Sequence, residues 1–167
     1  MSALAGAVAS AWTRSTHVEA YLHPGGVHAI ARPSRVTTIL GSCVAVCLYD
    51  RVGSLGGLNH FLLPSATSDT DASTRYGDCA VDVLVRRLVA LGAAPERLVA
   101  KVFGGANVLH AFADGSRHIG QANVEMAHVA LARHGIPIGA EDVGGTRGRK
   151  LVFSAPDGAA WVEVLGP

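Results

Sequence analysis

Apolar residues fill nearly every position from Cys43 to Asp50, with Val44, Val46 and Leu48 on one face of an extended chain and Ala45, Cys47 and Tyr49 on the other. This pattern predicts a strand buried on both sides. Arg51-Val52-Gly53-Ser54-Leu55 supplies a turn, and positions 56–63 return as a second strand closed by Pro64. Upstream, the extended stretches 18–22 and 27–31 flank His23-Pro24-Gly25-Gly26, rich in turn formers, and predict an opening hairpin. Downstream, positions 65–75 are polar and aperiodic, an exposed loop. Ala80, Leu84, Leu88 and Leu91, flanked by Val81, Val85 and Val89, then mark a helix over 77–91 with Asp82, Arg86 and Arg87 on its other side and Gly92 as its cap.

A strand over 98–103 and a helix over 121–134, stopped by Gly135 and Pro137, follow. Three strands complete the chain at 136–143, 150–153 and 161–165, the last two joined through Ala155-Pro156-Asp157-Gly158. Strands in runs with two helices between them predict an α+β fold, sheets packed together and helices outside. Residues 1–16 read as a loosely ordered extension and 17–167 as a single domain.

Composition narrows the function classes. A chain of 167 residues forms one sizeable core, and Lys+Arg 14 against Asp+Glu 13 gives a net charge of +1. That balance lacks the positive field that gathers nucleic acid or anionic lipid. Three cysteines, odd in number and irregularly spaced, do not make a secreted disulfide framework and fit a reducing cytoplasm. The small, apolar start has no charged n-region, and no window is long enough to span a membrane, so a soluble cytoplasmic protein is expected.

The chemistry concentrates in the central pair of strands. His60 follows Cys43 by 17 positions, across the turn. A thiol attacks as thiolate, so a nucleophilic cysteine needs a neighbouring base, and His60 is the natural one. If His60 opposes Cys43, or opposes Ala45 so that Cys43 is its diagonal neighbour, the two share a face; a one-residue slip separates them. A third polar group would hold the imidazole in the correct tautomer, and from spacing alone Thr37, Thr38, Ser42 and Asn59 all qualify. Cys47, mid-strand, and Cys79, without a nearby histidine in sequence, read as structural.

Other motifs point less sharply. Cys43 and Cys47 lie too far apart along one strand to chelate together, and no Cys or His pair has zinc-site spacing, so neither metal nor cofactor is expected. His110, His118, His128 and His134 are assigned to helix faces or loops. Gly104-Gly105-Ala106-Asn107 lacks dinucleotide or P-loop spacing and reads as a tight turn. Gly144 to Lys150 reads as a basic, solvated loop able to meet an acidic partner.

Several stretches, in order from about residue 17 to 165, resemble the chemoreceptor glutamine deamidases of the CheD family. They are Leu40-Gly41-Ser42-Cys43-Val44 with Leu48-Tyr49-Asp50; Gly56-Gly57-Leu58-Asn59-His60-Phe61-Leu62-Leu63-Pro64; Arg75-Tyr76-Gly77-Asp78; Lys101-Val102-Phe103-Gly104-Gly105-Ala106-Asn107; Ile119-Gly120-Gln121-Ala122-Asn123-Val124; and Glu141-Asp142-Val143-Gly144-Gly145 with Gly148-Arg149-Lys150. Thr146 and Arg147 vary a loop, and residues 1–16 carry no family motif.

The resemblance implies a layered mixed β-sandwich flanked by helices, similar to toxin-type cysteine deamidase domains. It also implies a catalytic set of Cys43, His60 and Thr37, the last six residues before the cysteine. The implied activity is conversion of glutamines on the cytoplasmic helices of methyl-accepting chemotaxis receptors to glutamate through a cysteine thioester, with glutamyl methyl esters able to enter the same path. A CheC-type chemotaxis phosphatase is the implied protein partner. Residues 104–107 and the 65–75 loop are the expected surface for receptor or phosphatase. Two other classes fit the chain: a non-catalytic module regulating that phosphatase, and a thiol hydrolase of another substrate.

Overall fold

The computed structural model describes residues 17–68, 72–109 and 118–166. The predicted extension over 1–16 lies outside these residues. Nine strands among them form two sheets. Val18–Tyr21 (β1), Ser34–Leu40 (β3), Arg149–Ser154 (β8) and Ala160–Val164 (β9) make a four-stranded sheet in the order β1-β3-β8-β9. Val27–Ala29 (β2), Val44–Asp50 (β4), Leu55–Asn59 (β5), Val99–Gly104 (β6) and Ile138–Val143 (β7) make a five-stranded sheet in the order β2-β5-β4-β6-β7. Only the β1–β3 and β6–β7 pairs among these are parallel.

Strand β4 is the centre of the molecule, and all seven of its residues are buried. Val44, Val46 and Leu48 pack against Gly77–Ala90 (α1) and Ile119–Arg133 (α2), meeting Ala80, Leu84, Leu88, Ala127 and Leu131. Ala45, Cys47 and Tyr49 face the other way and meet Val36, Leu40, Leu151 and Phe153 of the four-stranded sheet. The result is three layers, with helices on one face of the five-stranded sheet and the second sheet on its other face. Burying each large side chain of these two cores contributes about 1.5–3 kcal/mol.

The α+β sandwich and its helix positions follow the sequence pattern closely. Helix α1 ends as the glycine predicts: Gly92 takes φ 109°, its N–H donates to the Val89 carbonyl and that of Ala93 to the Leu88 carbonyl. The opening hairpin is different. β1 joins the four-stranded sheet beside β3 and β2 joins the five-stranded sheet beside β5, so residues 22–26 form a crossover between sheets rather than a hairpin turn.

Candidate active site

The register of the central strands decides which side chains share a face. Cys47 pairs with Leu58 and, beyond the regular ladder, Val44 bridges to Phe61 with both backbone N–H groups donating, at 3.1 and 3.0 Å. In that register His60 stands opposite Ala45, and Cys43 is its diagonal neighbour on the same face. The face is the one turned to the four-stranded sheet, where Cys43 packs against the inter-sheet core.

From that opposing sheet, Thr38 of β3 reaches His60. Ser34, Val36, Thr38 and Leu40 are the inward residues of β3, and Thr38 is fully buried between two apolar neighbours. Its Oγ1 lies 2.7 Å from His60 Nδ1 and 2.7 Å from the Leu22 carbonyl oxygen. A hydroxyl has one hydrogen and a carbonyl can only accept, so Thr38 donates to Leu22 and accepts from His60 Nδ1–H. The imidazole is thereby held as the Nδ1–H tautomer, which leaves the lone pair on Nε2, buried and without a hydrogen-bond partner among the described residues.

Thr37 stands on the opposite side of the strand, half-buried, with its carbonyl accepting from the Leu22 N–H. The threonine that the structure brings to the histidine ring is thus Thr38, next in the chain to the expected Thr37. Strand alternation is the reason: adjacent residues point to opposite faces, and only one of the two threonines can look between the sheets.

The crossover explains why His60 is only 1% exposed. Its N–H donates to the Gly26 carbonyl at 3.1 Å and its carbonyl accepts from the Gly25 N–H at 2.7 Å, so residues 22–26 run over the histidine while Leu22 anchors Thr38. Burial has an electrostatic result. Desolvation of the charged imidazolium pushes the His60 pKa down to about 4. Burial likewise pushes the Cys43 thiol up, opposed by its own backbone N–H beside the sulfur. At neutral pH the pair therefore rests as thiol and neutral imidazole.

The loop carrying Cys43 is held at three points. The Cys43 carbonyl accepts from the Gly105 N–H and the Gly41 carbonyl from the Ala106 N–H, both at 2.9 Å. Gly104 and Gly105 have φ of 107° and 70°, and a Cβ on Gly104 would sit 2.2 Å from the Cys43 carbonyl oxygen. Only glycine lets the chain approach this closely. That glycine turn is itself braced by Arg149, which donates to the Gly104 carbonyl at 3.5 Å and the Gly144 carbonyl at 2.9 Å and pairs with Asp142 at 3.0 Å. The third support is Asn123 of α2, whose amide nitrogen donates to the Ser42 carbonyl at 3.0 Å. Beside Ser42 opens a depression of about 70 Å³ lined also by Ala106, Asn107 and His118.

Residues 62–164 match the family model described as CheD chemotactic sensory transduction. The chain is 50% identical over 147 residues to the probable chemoreceptor glutamine deamidase CheD 1 of Anaeromyxobacter dehalogenans, covering 88% of this chain and 85% of that protein. The chain belongs to the CheD family. The probable chemoreceptor glutamine deamidases CheD of Sulfurimonas denitrificans and Trichlorobacter lovleyi are 41% and 43% identical, over 87% of this chain and 93% and 88% of theirs. Among solved structures, a Neisseria meningitidis protein of the DUF152 family is a distant likeness, at 11% identity and a TM-score of 0.43 over 90% of this chain and 79% of that one.

Several of the stretches that resemble CheD, those of Ser42-Cys43, His60, Gly104-Gly105-Ala106 and Asn123, meet at this region, and several sequence readings change with it. The Gly104–Asn107 turn is a support for the Cys43 loop, with Gly104, Gly105 and Ala106 buried, so its expected role as a docking surface is left to Asn107 at most. Arg149 is 7% exposed and paired, not part of a solvated loop. Of the other candidates for the histidine's partner, Asn59 uses Oδ1 to accept the Val46 N–H, within its own sheet. Cys47 is fully buried and its thiol is pushed strongly up by desolvation. Cys79 lies in the first turn of α1, its thiol donating to the Ala72 carbonyl at 3.1 Å.

The histidines assigned to helices and loops also find places. His118 caps α2, accepting from the Gln121 N–H at 3.2 Å; His128 pairs with Glu141 and His134 with Asp82. His110 lies outside the described residues. Among the described residues no three metal-ligating side chains converge, and no helix is long and apolar enough to cross a membrane. The signal for Thr38 is alternation: it shares a face with Val36 and Leu40, whereas Thr37 shares one with the charged Arg35.

Proposed function

We propose that the protein deamidates glutamine side chains of chemotaxis receptors, with Cys43 as nucleophile, His60 as general base and then acid, and Thr38 as the group that orients His60. The activity and substrate class come from the family and the names of its curated members. The observation that carries the chemistry is the chain Leu22 carbonyl, Thr38 hydroxyl, His60 Nδ1–H, which leaves an Nε2 lone pair, unpartnered among the described residues, on the face shared with Cys43.

The steps follow from that arrangement. As the receptor carboxamide meets Cys43, the thiol proton passes to His60 Nε2 and sulfur bonds to the amide carbon, placing the negative charge on oxygen. Backbone N–H groups of the Ser42–Cys43 loop are the donors for that oxyanion. The imidazolium then gives its proton to the amide nitrogen, the C–N bond breaks, and ammonia leaves a thioester. Water, losing a proton to Nε2, attacks the thioester carbon. The C–S bond breaks, sulfur recovers a proton, and the product is a glutamyl side chain. A glutamyl methyl ester enters the same cycle with methanol leaving.

The low proton affinity of His60 fits this cycle. A neutral base is available across the physiological range, and the imidazolium exists only while paired with developing negative charge. The direct test is incubation with receptor cytoplasmic fragments, following ammonia release and Gln-to-Glu conversion by peptide mass spectrometry. Wild type and Cys79→Ser are expected to convert and Cys43→Ala to lose conversion. Full activity in Cys43→Ala overturns the assignment, and an inactive wild type that still binds a chemotaxis phosphatase favours a regulatory module.

A further inference from the structure

Cys43 and His60 sit on separate chain segments, and one side chain outside the catalytic set bonds to both. Asn123, fully buried in the first half of α2, donates from its amide nitrogen to the Ser42 carbonyl at 3.0 Å and to the Leu62 carbonyl at 2.9 Å. Ser42 immediately precedes the nucleophile; Leu62 follows the histidine by two residues and lies just past the Val44–Phe61 bridge, where the regular β4–β5 ladder has ended. Both amide hydrogens are thus used on the two strands at the point where strand pairing no longer fixes their spacing.

We infer that Asn123 is a positioning residue that sets the separation of Cys43 Sγ from His60 Nε2, an inference that rests on the catalytic reading above. The geometry around it supports a fixed anchor. Gly120, one turn earlier on α2, packs so closely on the Gly105–Ala106 backbone that a Cβ there would lie 2.5 Å from the Gly105 oxygen, and Gly105 in turn bonds the Cys43 carbonyl. α2 is therefore seated against the nucleophile loop by backbone contact, and Asn123 transmits that seat to the histidine strand. The two near replacements do not do the same: aspartate of equal size brings negative charge against two carbonyl oxygens, and serine has one hydrogen to give where two are used.

Alignment to within a few tenths of an ångström is what a proton transfer between two neutral partners requires, and a displacement of about 1 Å costs on the order of 100-fold in rate. Asn123→Ser and Asn123→Asp are expected to lower kcat about 100-fold with KM within about twofold. Both are compared with Leu131→Val, a buried apolar change on the same helix that makes no hydrogen bond to either segment. Peptide-resolved alkylation of Cys43 by iodoacetamide supplies a readout that needs no receptor. At pH 7 the Asn123 variants are expected to lose the His60-assisted part of the rate, matching His60→Gln, while Leu131→Val keeps it. Wild-type alkylation rates in both Asn123 variants, or an equal fall in kcat for Leu131→Val at matched melting temperature, overturn the inference. Deamidation surviving Cys43→Ala overturns the catalytic reading itself and is scored separately.

Discussion

The hydroxyl of Thr38 and Nδ1 of His60 lie 2.7 Å apart across the gap between two sheets, and the hydroxyl's one hydrogen is committed to the Leu22 carbonyl. One proton thus fixes the tautomer of the histidine before any substrate arrives. Thr38→Val keeps the shape and removes the relay, so kcat is expected to fall about 100-fold, within the range that a correctly held general base contributes. Thr38→Ser should retain most activity, and Thr37→Val should change kcat by less than about twofold. Steady-state deamidation kinetics of the three variants check this; a larger loss in Thr37→Val than in Thr38→Val contradicts the assignment.

The burial of His60 makes a prediction for pH. With its folded pKa pushed down to about 4, the acid limb of kcat/KM should fall near pH 4 rather than near 6.5. Stability follows the same group. The unfolded chain binds a proton at His60 near pH 6.5 while the folded protein resists it until about 4, so the folded state loses stability as pH falls through that window, by at most about 1.4 kcal/mol per pH unit. Urea unfolding at pH 7 and pH 4.5 should show a smaller loss for His60→Gln than for wild type.

Glycine content is informative here only where a side chain has nowhere to go. Gly104→Ala places a Cβ against the Cys43 carbonyl at a φ of 107° and is expected to cost about 2 kcal/mol or more and to displace the nucleophile loop. Gly144→Ala has positive φ but open space, and is expected to cost about 1 kcal/mol with activity retained. Thermal melts and turnover measured side by side separate the two.

Asp50 braces the far end of β4 from the site. Its buried carboxylate accepts from Arg97 at 3.0 and 2.9 Å and from the Gly53 and Ala94 N–H groups, and the Arg97 guanidinium first among these holds its pKa below the usual carboxylate range. A depressed carboxylate stabilises the fold above its unfolded pKa, near 3.9, and the benefit fades as pH falls toward the folded value. Asp50→Asn is expected to cost about 2 kcal/mol at pH 7. The gap to wild type, read from denaturant unfolding, should begin to shrink only below about pH 4, with kcat unchanged at permissive temperature.

Much of this was legible in the sequence, and the misses share a cause. Unbroken apolar residues from Val44 to Tyr49 announced a strand buried on both faces, and the Cys43–His60 spacing allowed the register that the structure adopts. Turn formers at His23–Gly26 announced a change of direction but could not say that the chain changes sheets, because composition does not encode the partner of the next strand. Thr37 and Thr38 differ by one position, and choosing between them required knowing which face of β3 looks inward. Arg149 and the Gly104–Asn107 turn looked like surface because carbonyls they serve, Gly104 for Arg149 and Gly41 and Cys43 for the turn, come from distant segments.

The central claim is that Cys43 carries the receptor's glutamyl group as a thioester. Acid quenching of enzyme with excess receptor fragment during turnover, followed by peptide mass spectrometry, should find that acyl group on the Cys43 peptide alone, released by hydroxylamine and absent from Cys43→Ala. An adduct on Cys79 instead, or Gln-to-Glu conversion that continues in Cys43→Ala, contradicts the account.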